Sequence, residues 1–276
     1  MIQIGKWNRL SVVKEVPFGV YLDGREEGEI LLPTKEVPQG LKAGDTVEVF
    51  LCFDSEDRLI ATTVEPLAEV GRFAVLRVVS VEQVGAFLDW GLPKDLFLPY
   101  AEQSRNLRPG QEIIVYVYLD KSTRLSASMR LERNLEKTPG ELQEGQEVDL
   151  LLFGRTDLGY KAIVDGKHLG VLYENEVFQK LDYAQALKGY IKKIRDDGKI
   201  DLSLRRPGHE AANEDIGPLI LKKLRENGGF LEINDKASAE TVHRLFGVSK
   251  KKFKIALGGL YKKRLITVND DGIRLV

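Results

Sequence analysis

The sequence has few of the residues that catalytic and metal-binding sites need. Its 276 residues include one cysteine, Cys52, and three histidines, so a disulfide within the chain is excluded. The histidines are widely spaced and have no cysteine or histidine partner at the spacing of a zinc site. No glycine-rich loop ends in the lysine of a phosphate-binding motif. We therefore expect no metal, no cofactor and no enzymatic activity.

Long apolar segments are absent as well. No run approaches the roughly 18 apolar residues of a membrane-spanning helix, and the N-terminus lacks the apolar stretch of a signal peptide. A single cysteine, within an apolar segment that predicts a strand, fits a packed thiol in a reducing compartment. We therefore expect a cytoplasmic protein without membrane contact, long enough for two or more domains.

Charge is nearly balanced overall but uneven along the chain. The net charge of −1 divides into −5 for residues 1–66, +1 for 67–139, −2 for 140–205 and +5 for 206–276. Basic clusters attract polyanions. The C-terminal segment is therefore a candidate for nucleic-acid binding.

A unit of 66 residues occurs twice in register. Gly19, Gly44 and Arg58 recur 66 positions later, as Gly85, Gly110 and Arg124. Each unit shows five short strand patterns separated by turn residues, which is typical of a small barrel. A third, more diverged unit follows over residues 138–205. Gly19 and Gly85 predict a bulge or sharp bend at the start of the second strand.

The last segment has helical rather than strand periodicity. Gly228-Gly229 ends a first helix, and Ser238 and Ser249 are candidate N-caps of two more. A hairpin at the C-terminus completes the pattern of a winged helix. We thus predict a mainly β, multidomain chain with domains at 1–66, 67–137, 138–205 and 214–276, and a linker at 206–213.

Two aromatic residues in the first unit are candidates for base stacking. Phe18 and Tyr21 are three residues apart, and a bulge at Gly19 would bring both rings to one face. Arg58 would then contact phosphate, with Asp54 orienting it or accepting from a base or ribose hydroxyl. The alternative is that either ring fills the barrel core.

Basic residues supply the other candidates. In the third unit, strand alternation predicts Lys193 and Arg195 on one side and Tyr190 and Lys192 on the other. In the last segment, one helix is predicted to expose four lysines, and a basic triplet follows it. The candidate nucleic-acid-binding residues of this segment are therefore Lys250, Lys251, Lys252, Lys254, Lys262, Lys263 and Arg264. They would hold nucleic-acid phosphates, and the alternative is a solvated face of a structural or protein-binding domain.

The three units resemble S1-type RNA-binding domains, which are five-stranded OB-fold barrels. That family has two aromatic residues around a glycine, a histidine on the next strand, and Asp-x-x-x-Arg before the last strand. The first unit matches with Phe18, Tyr21, Asp54 and Arg58, and has Pro33 at the histidine position. The second unit keeps Phe87, Asp120 and Arg124, but departs from the pattern at Val84 and Pro99. The third keeps Tyr173 at the histidine position, has Lys199 in place of the arginine, and has Leu158 and Lys161 in place of the aromatic pair.

The order of the units is more specific than any one of them. Three S1-type units, the second carrying Asp89 to Pro99 (DWGLPKDLFLP), followed by a winged helix, resemble the conserved virulence factor B family. The resemblance implies a bacterial cytoplasmic RNA-binding protein that is linked to control of virulence-gene expression and has no catalytic activity. The alternative is a transcription regulator that binds DNA through its winged helix, with the barrels as a protein-interaction scaffold.

Overall fold

The computed structural model describes residues 1–136, 138–174, 177, 179–206 and 216–276, in two compact units. The first unit comprises residues 1–174 and 181–204, and the second contains the C-terminal segment. The linker predicted at 206–213, apart from Arg206, and the domain boundaries predicted at residues 137 and 214 lie outside the described residues. The boundaries between domains remain predictions.

The first barrel is closed, with strand order β1-β2-β3-β5-β4. Its strands are β1 (Trp7–Val16), β2 (Gly19–Asp23), β3 (Glu29–Pro33), β4 (Thr46–Phe53) and β5 (Leu59–Thr62). All neighbours are antiparallel except β3 and β5, which pair in parallel through Leu31 and Ile60.

The second barrel repeats this topology. Its strands are β6 (Phe73–Glu82), β7 (Gly85–Asp89), β8 (Leu96–Pro99), β9 (Glu112–Leu119) and β10 (Leu125–Ser128). The parallel pair is Phe97 with Ser126, which are the residues 66 positions after Leu31 and Ile60. The duplication predicted from the glycines and arginines therefore extends to strand register.

The third barrel has the same order, β11-β12-β13-β15-β14. Its strands are β11 (Glu147–Thr156), β12 (Gly159–Val164), β13 (His168–Tyr173), β14 (Ala186–Ile194) and β15 (Ile200–Ser203). The prediction of three five-stranded barrels is confirmed.

The prediction of a bulge at the glycine of the second strand was wrong. The register shifts lie on the preceding strand, between Val12 and Lys14 in the first barrel and between Val78 and Ser80 in the second. Gly19 is required for a different reason: a Cβ atom there would lie 2.1 Å from the carbonyl oxygen of Leu32 on the facing strand. Glycine permits this close backbone approach because it has no side chain. A Cβ atom at Gly85 or Gly159 would meet the equivalent oxygen at 2.3 or 2.0 Å.

The fourth strand of the first barrel is buried on both faces. Val47, Val49 and Leu51 point into the barrel core, as their alternation predicts. Phe50 and Cys52, on the other face, pack into the core cluster of the second barrel. Phe53, the last residue of β4, is half-buried. The first two barrels therefore share apolar packing.

The contact between these barrels is aromatic at its centre. Phe50 is fully buried, and its ring lies edge-on 5.9 Å from the rings of both Trp7 and Trp90, measured between centroids. Trp90 belongs to the loop after β7, and its indole Nε1 donates to the carbonyl oxygen of Lys94 at 2.7 Å. That bond is internal to the loop, and the Trp90 ring packs the loop against Phe50 of the first barrel.

The C-terminal unit is a winged helix. It contains α1 (Gly217–Glu226), β16 (Phe230–Leu231), α2 (Ala239–Phe246), α3 (Lys250–Lys262), β17 (Ile266–Asn269) and β18 (Gly272–Leu275). Both predicted N-caps are confirmed: Ser238 Oγ accepts from the Thr241 amide at 3.0 Å, and Ser249 Oγ accepts from the Lys252 amide at 3.3 Å. In the residues described, no helix is both long and apolar enough to cross a membrane.

Cys52 should be unreactive in the folded protein. Burial raises the pKa of its thiol to about 12, with smaller contributions from the carboxylates of Glu36 and Asp54. Since the thiolate is the reacting form, we expect iodoacetamide at about pH 8 to modify native protein at least a hundredfold more slowly than protein unfolded in urea. Mass spectrometry at timed intervals measures both rates. Equal rates would show that the thiol is accessible.

Candidate nucleic-acid interface

Phe18 and Tyr21 form one aromatic surface on the first barrel. Their ring centroids are 6.2 Å apart and the rings are nearly perpendicular. Phe18 is 55% exposed and Tyr21 is half-buried, and neither belongs to the core cluster of this barrel. The rings meet because Phe18 lies in the hairpin turn before β2 rather than inside the strand. The alternative that these rings fill the core is therefore wrong.

Lys14 extends this surface. It pairs with Tyr21 across β1 and β2, and its Nζ lies 4.9 Å from the centre of the tyrosine ring. The same ammonium is 2.5 Å from Glu29 Oε2. Its charge is thus matched by a carboxylate, and the surface offers rings rather than net positive charge.

Asp54 holds Arg58 in a fixed turn. Asp54 Oδ1 accepts from the amides of Glu56 and Arg58 at 2.9 Å each, and Oδ2 accepts from Arg58 Nε at 2.8 Å. Desolvation acts to raise the pKa of Asp54, but these hydrogen bonds and the charge of Arg58 hold it below its usual value. The aspartate therefore orients the arginine, and most of its acceptor capacity is used within the turn.

The second barrel has the same turn. Asp120 Oδ1 accepts from the amides of Ser122 and Arg124 at 2.7 and 3.0 Å, and Arg124 Nε lies 3.2 Å from Asp120 Oδ2. Arg58 has a second carboxylate, Glu56, at 3.1 Å, whereas Arg124 is paired with Asp120 alone among the described residues. Arg124 is thus the better placed of the two to attract a phosphate.

Phe87 lines a cavity of about 430 Å³ between the first two barrels. Its ring centroid lies 5.4 Å from that of Phe97, its partner on β8. The other lining side chains are aromatic, apolar, basic and acidic groups from both barrels: Phe53, Asp57, Val84, Trp90, Lys94, Asp95, Leu96, Arg124, Leu125 and Ser126. An aromatic wall beside a guanidinium suits a stacked base and its phosphate.

Phe97 and Lys94 were not predicted from the sequence. The register that places Gly85 opposite Pro99 also places Phe87 opposite Phe97, so strand alternation could have identified Phe97. Lys94 Nζ donates to the carbonyl oxygen of Asp54 at 2.8 Å and also bonds Asp57, on the turn of the first barrel. No local pattern signals that contact, because it joins residues from two repeats.

The third barrel uses its predicted site residues internally. Tyr173 hydroxyl lies 3.3 Å from Asp201 Oδ1 and accepts from Arg195, whose Nε donates to Asp201 Oδ2 at 3.0 Å. Lys199 Nζ is 2.7 Å from Asp197 in the same turn. Tyr173 and Arg195 are thus parts of an internally bonded network, whereas Lys199 is exposed and paired with Asp197 alone among the described residues.

Strand alternation in β14 was also predicted incorrectly. A register shift between Ile191 and Lys193 interrupts the strand at Lys192. As a result, Lys192 and Lys193 are both exposed, while Arg195 turns toward Asp201. The two lysines remain candidates for phosphate contact.

The helix α3 presents fewer open lysines than predicted. Lys250 is half-buried and its Nζ donates to the carbonyl oxygen of Lys236 at 3.2 Å, and Lys254 Nζ lies 3.8 Å from Asp235 Oδ2. Lys252 is half-buried as well, whereas Lys251 is exposed. The basic triplet of Lys262, Lys263 and Arg264 is exposed throughout.

Comparison with protein families matches both parts of this architecture. A family model described as an S1 domain matches residues 4–64 and 70–130, which are the first and second barrels. A model described as a CvfB-like winged helix domain matches residues 219–275. These matches agree with the resemblance to the conserved virulence factor B family, since S1 domains are followed by a CvfB-like winged helix domain. S1 and winged helix domains are typical non-catalytic nucleic-acid-binding domains, and neither matched model indicates an enzyme.

Similar proteins match over most of the chain. The uncharacterized protein YitL of Bacillus subtilis is 27% identical over 268 residues, covering 94% of this chain and 89% of its own. Conserved virulence factor B of Staphylococcus saprophyticus is 26% identical, covering 92% and 88%. A crystal structure described as a multidomain protein with nucleic acid binding domains, from Streptococcus pneumoniae, is 25% identical, covering 99% and 98%, with a TM-score of 0.44.

Proposed function

We propose that this chain is a non-catalytic RNA-binding protein that regulates gene expression after transcription. The observation that carries the proposal is the pair of aromatic surfaces, Phe18 with Tyr21 and Phe87 with Phe97, on two barrels of one family. Exposed rings bind bases only when the bases are unpaired, which is the usual state of sequence-specific RNA sites. The name of the staphylococcal relatives supports a role in virulence-gene control.

The winged helix contributes charge rather than sequence readout. Its exposed basic face consists of lysines with Arg264 at the end, and the outward positions of α3 carry no asparagine or glutamine. Lysines serve mainly to neutralise phosphates, whereas the bidentate base contacts typical of duplex DNA readout are made mostly by arginine, asparagine and glutamine. This composition favours RNA over an operator sequence in DNA as the ligand.

A direct competition tests the choice of nucleic acid. The intact chain is titrated with fluorescein-labelled single-stranded RNA, and unlabelled RNA, single-stranded DNA and duplex DNA of the same sequence compete. We expect RNA to compete best and to be recovered uncleaved. Better competition by duplex DNA would contradict the proposal and favour a transcription regulator that uses the barrels as a scaffold.

The lysines of α3 should set the salt dependence of binding. Replacing Lys250, Lys251, Lys252 and Lys254 with alanine should weaken RNA binding and reduce the slope of log affinity against log salt by about 0.7 for each phosphate that is no longer neutralised. Because Lys254 already faces the carboxylate of Asp235, we expect a reduction nearer to about 2.1 than to about 2.8. Titrations at several salt concentrations give the slope.

A matched control lies on α1 of the same unit. Lys222 and Arg225 are exposed, and their replacement with alanine removes charge without touching α3. We expect the slope to stay unchanged in this variant. An unchanged slope in the α3 variant would remove that helix from the interface.

A further inference from the structure

We propose that a basic cleft between the second and third barrels binds the phosphate backbone of the RNA. The cleft has a volume of about 460 Å³, and its lining includes five basic side chains and one acidic one: Arg105, Arg130, Arg133, Arg155, Lys161 and Glu132. Only Lys161 was considered from the sequence, and as a departure from an aromatic position rather than as a binding residue. The inference rests on the proposed function, because it takes RNA to be the polyanion.

The floor of the cleft is a buried apolar contact between the two barrels. Ile114 and Leu131 from the second barrel pack with Ile163 from the third, and Phe153 lies against this cluster. At the rim, the hydroxyl of Tyr183 accepts from the amide of Ile114 at 3.0 Å. The basic groups are therefore carried on an ordered support, so little ordering entropy is lost when an anion binds.

Two of the arginines are positioned by neutral partners. The Arg105 guanidinium lies 4.6 Å from the centre of the Tyr183 ring. Arg130 donates from Nε and Nη2 to the carbonyl oxygen of Ala101 at 3.0 and 2.8 Å, while the carboxylate of Glu102 lies 4.0 Å from its Nε. Neutral partners hold a guanidinium in place without cancelling its charge.

Arg133 is exposed, and its side chain has no ion pair or hydrogen bond among the described residues. Arg155 and Lys161 do pair with carboxylates, Glu174 and Glu132, at partly exposed positions. Exposed ion pairs contribute little to stability, so a phosphate can replace either carboxylate at small cost. Guanidinium groups also match phosphate in geometry, since they donate two parallel hydrogen bonds.

The shape of the cleft favours a chain over a compact ligand. A neighbouring cavity of about 320 Å³ shares Ser104, Arg105 and Arg130 with it, and extends to Tyr100. The Tyr100 side chain is 65% exposed and directly follows the end of β8. An elongated groove with tyrosines and arginine planes along it suits successive nucleotides, because bases stack on both kinds of group. An acidic peptide could pair its carboxylates with the arginines but has no bases to stack on the tyrosine rings.

The test removes the two arginines that lack an anionic partner. The full chain with Arg105→Ala and Arg133→Ala is titrated with a labelled oligouridine of about 20 nucleotides, long enough to reach several sites. Removal of two phosphate-binding groups should lower the salt slope by about 1.4 and raise Kd roughly 10- to 30-fold at about 0.1 M salt. The variant with Arg72→Ala and Arg108→Ala, two exposed arginines of the same barrel outside the cleft, should bind like the unsubstituted chain.

A charge-conserving variant separates binding from folding. The double substitution Arg105→Lys and Arg133→Lys should preserve the salt slope, and thermal melting should show that both double variants remain folded. If the unsubstituted chain binds oligouridine and the alanine variant binds it equally well, the cleft is not part of the interface although the proposed function stands. If the unsubstituted chain fails to bind any RNA, the proposed function itself is wrong.

Competitors identify the source of the anion. Uridine monophosphate and inorganic phosphate are added as competitors at comparable phosphate concentration. If either displaces the oligouridine, the proposal is overturned in favour of a mononucleotide site. Polyglutamate that displaces it as well as unlabelled oligouridine would overturn it in favour of an acidic protein partner. We expect neither competitor to match oligouridine.

Discussion

Replacing Phe18 and Tyr21 together with alanine should weaken RNA binding by about 1–3 kcal/mol for each ring that stacks on a base. The first barrel should remain folded, because Phe18 is mostly exposed and neither ring lies in the core. The salt slope should hardly change, since the neighbouring Lys14 and Arg58 are already matched by carboxylates. Anisotropy titration and a melting curve on the same variant measure both properties.

The double substitution Phe18→Leu and Tyr21→Leu is the matched control. It retains apolar bulk but removes the aromatic faces, so binding should fall nearly as far as with alanine. If the leucine variant binds like the unsubstituted chain, the contact is apolar packing rather than stacking. If the alanine variant is folded and binds RNA normally, the first barrel lies outside the interface. The contacts with RNA would then be made by Phe87 and Arg124 of the second barrel.

Replacing Phe50 with alanine should lower the free energy of unfolding by about 3–5 kcal/mol. The ring is fully buried and fills the space between Trp7 and Trp90, so its removal leaves a cavity between two barrels. The chain has two tryptophans, and both contact this ring, so intrinsic fluorescence during urea unfolding monitors this junction directly.

Phe53→Ala provides the comparison for this experiment. It deletes the same atoms from the same strand, but Phe53 is half-buried and lines the open cavity. We expect a clearly smaller loss of stability. Equal losses for the two variants would mean that Phe50 is not the centre of the contact between the barrels.

Local patterns in the sequence predicted the repeated units well. Turn residues and strand alternation depend on a few neighbouring positions, so they can be recognised in the sequence alone. The constant offset of 66 residues then identified Gly85 and Arg124 as the counterparts of Gly19 and Arg58. The helix caps Ser238 and Ser249 were predictable for the same reason. The turn in which Asp54 orients Arg58 is also local, and its geometry agrees with the prediction.

Contacts between repeats could not be predicted in this way. The segment of β4 reads as an alternating strand with one inward face, yet Phe50 and Cys52 are buried because the second barrel covers the other face. Lys250 and Lys254 were expected to be exposed without partners. Their partners, the carbonyl of Lys236 and the carboxylate of Asp235, lie in a loop, and helical periodicity does not predict the position of a loop. The basic cleft was missed because its basic side chains come from two barrels.

The shared packing around Phe50 has a consequence for avidity. Domains joined by flexible linkers lose affinity because each new contact must first restrict the linker, and the effective concentration of the second site falls as the linker lengthens. The first two barrels avoid this loss, since their contact fixes the spacing between the ring of Tyr21 and that of Phe87. If RNA stacks on both barrels as proposed, the second contact forms at a fixed distance from the first, and two weak contacts should combine almost as a single site.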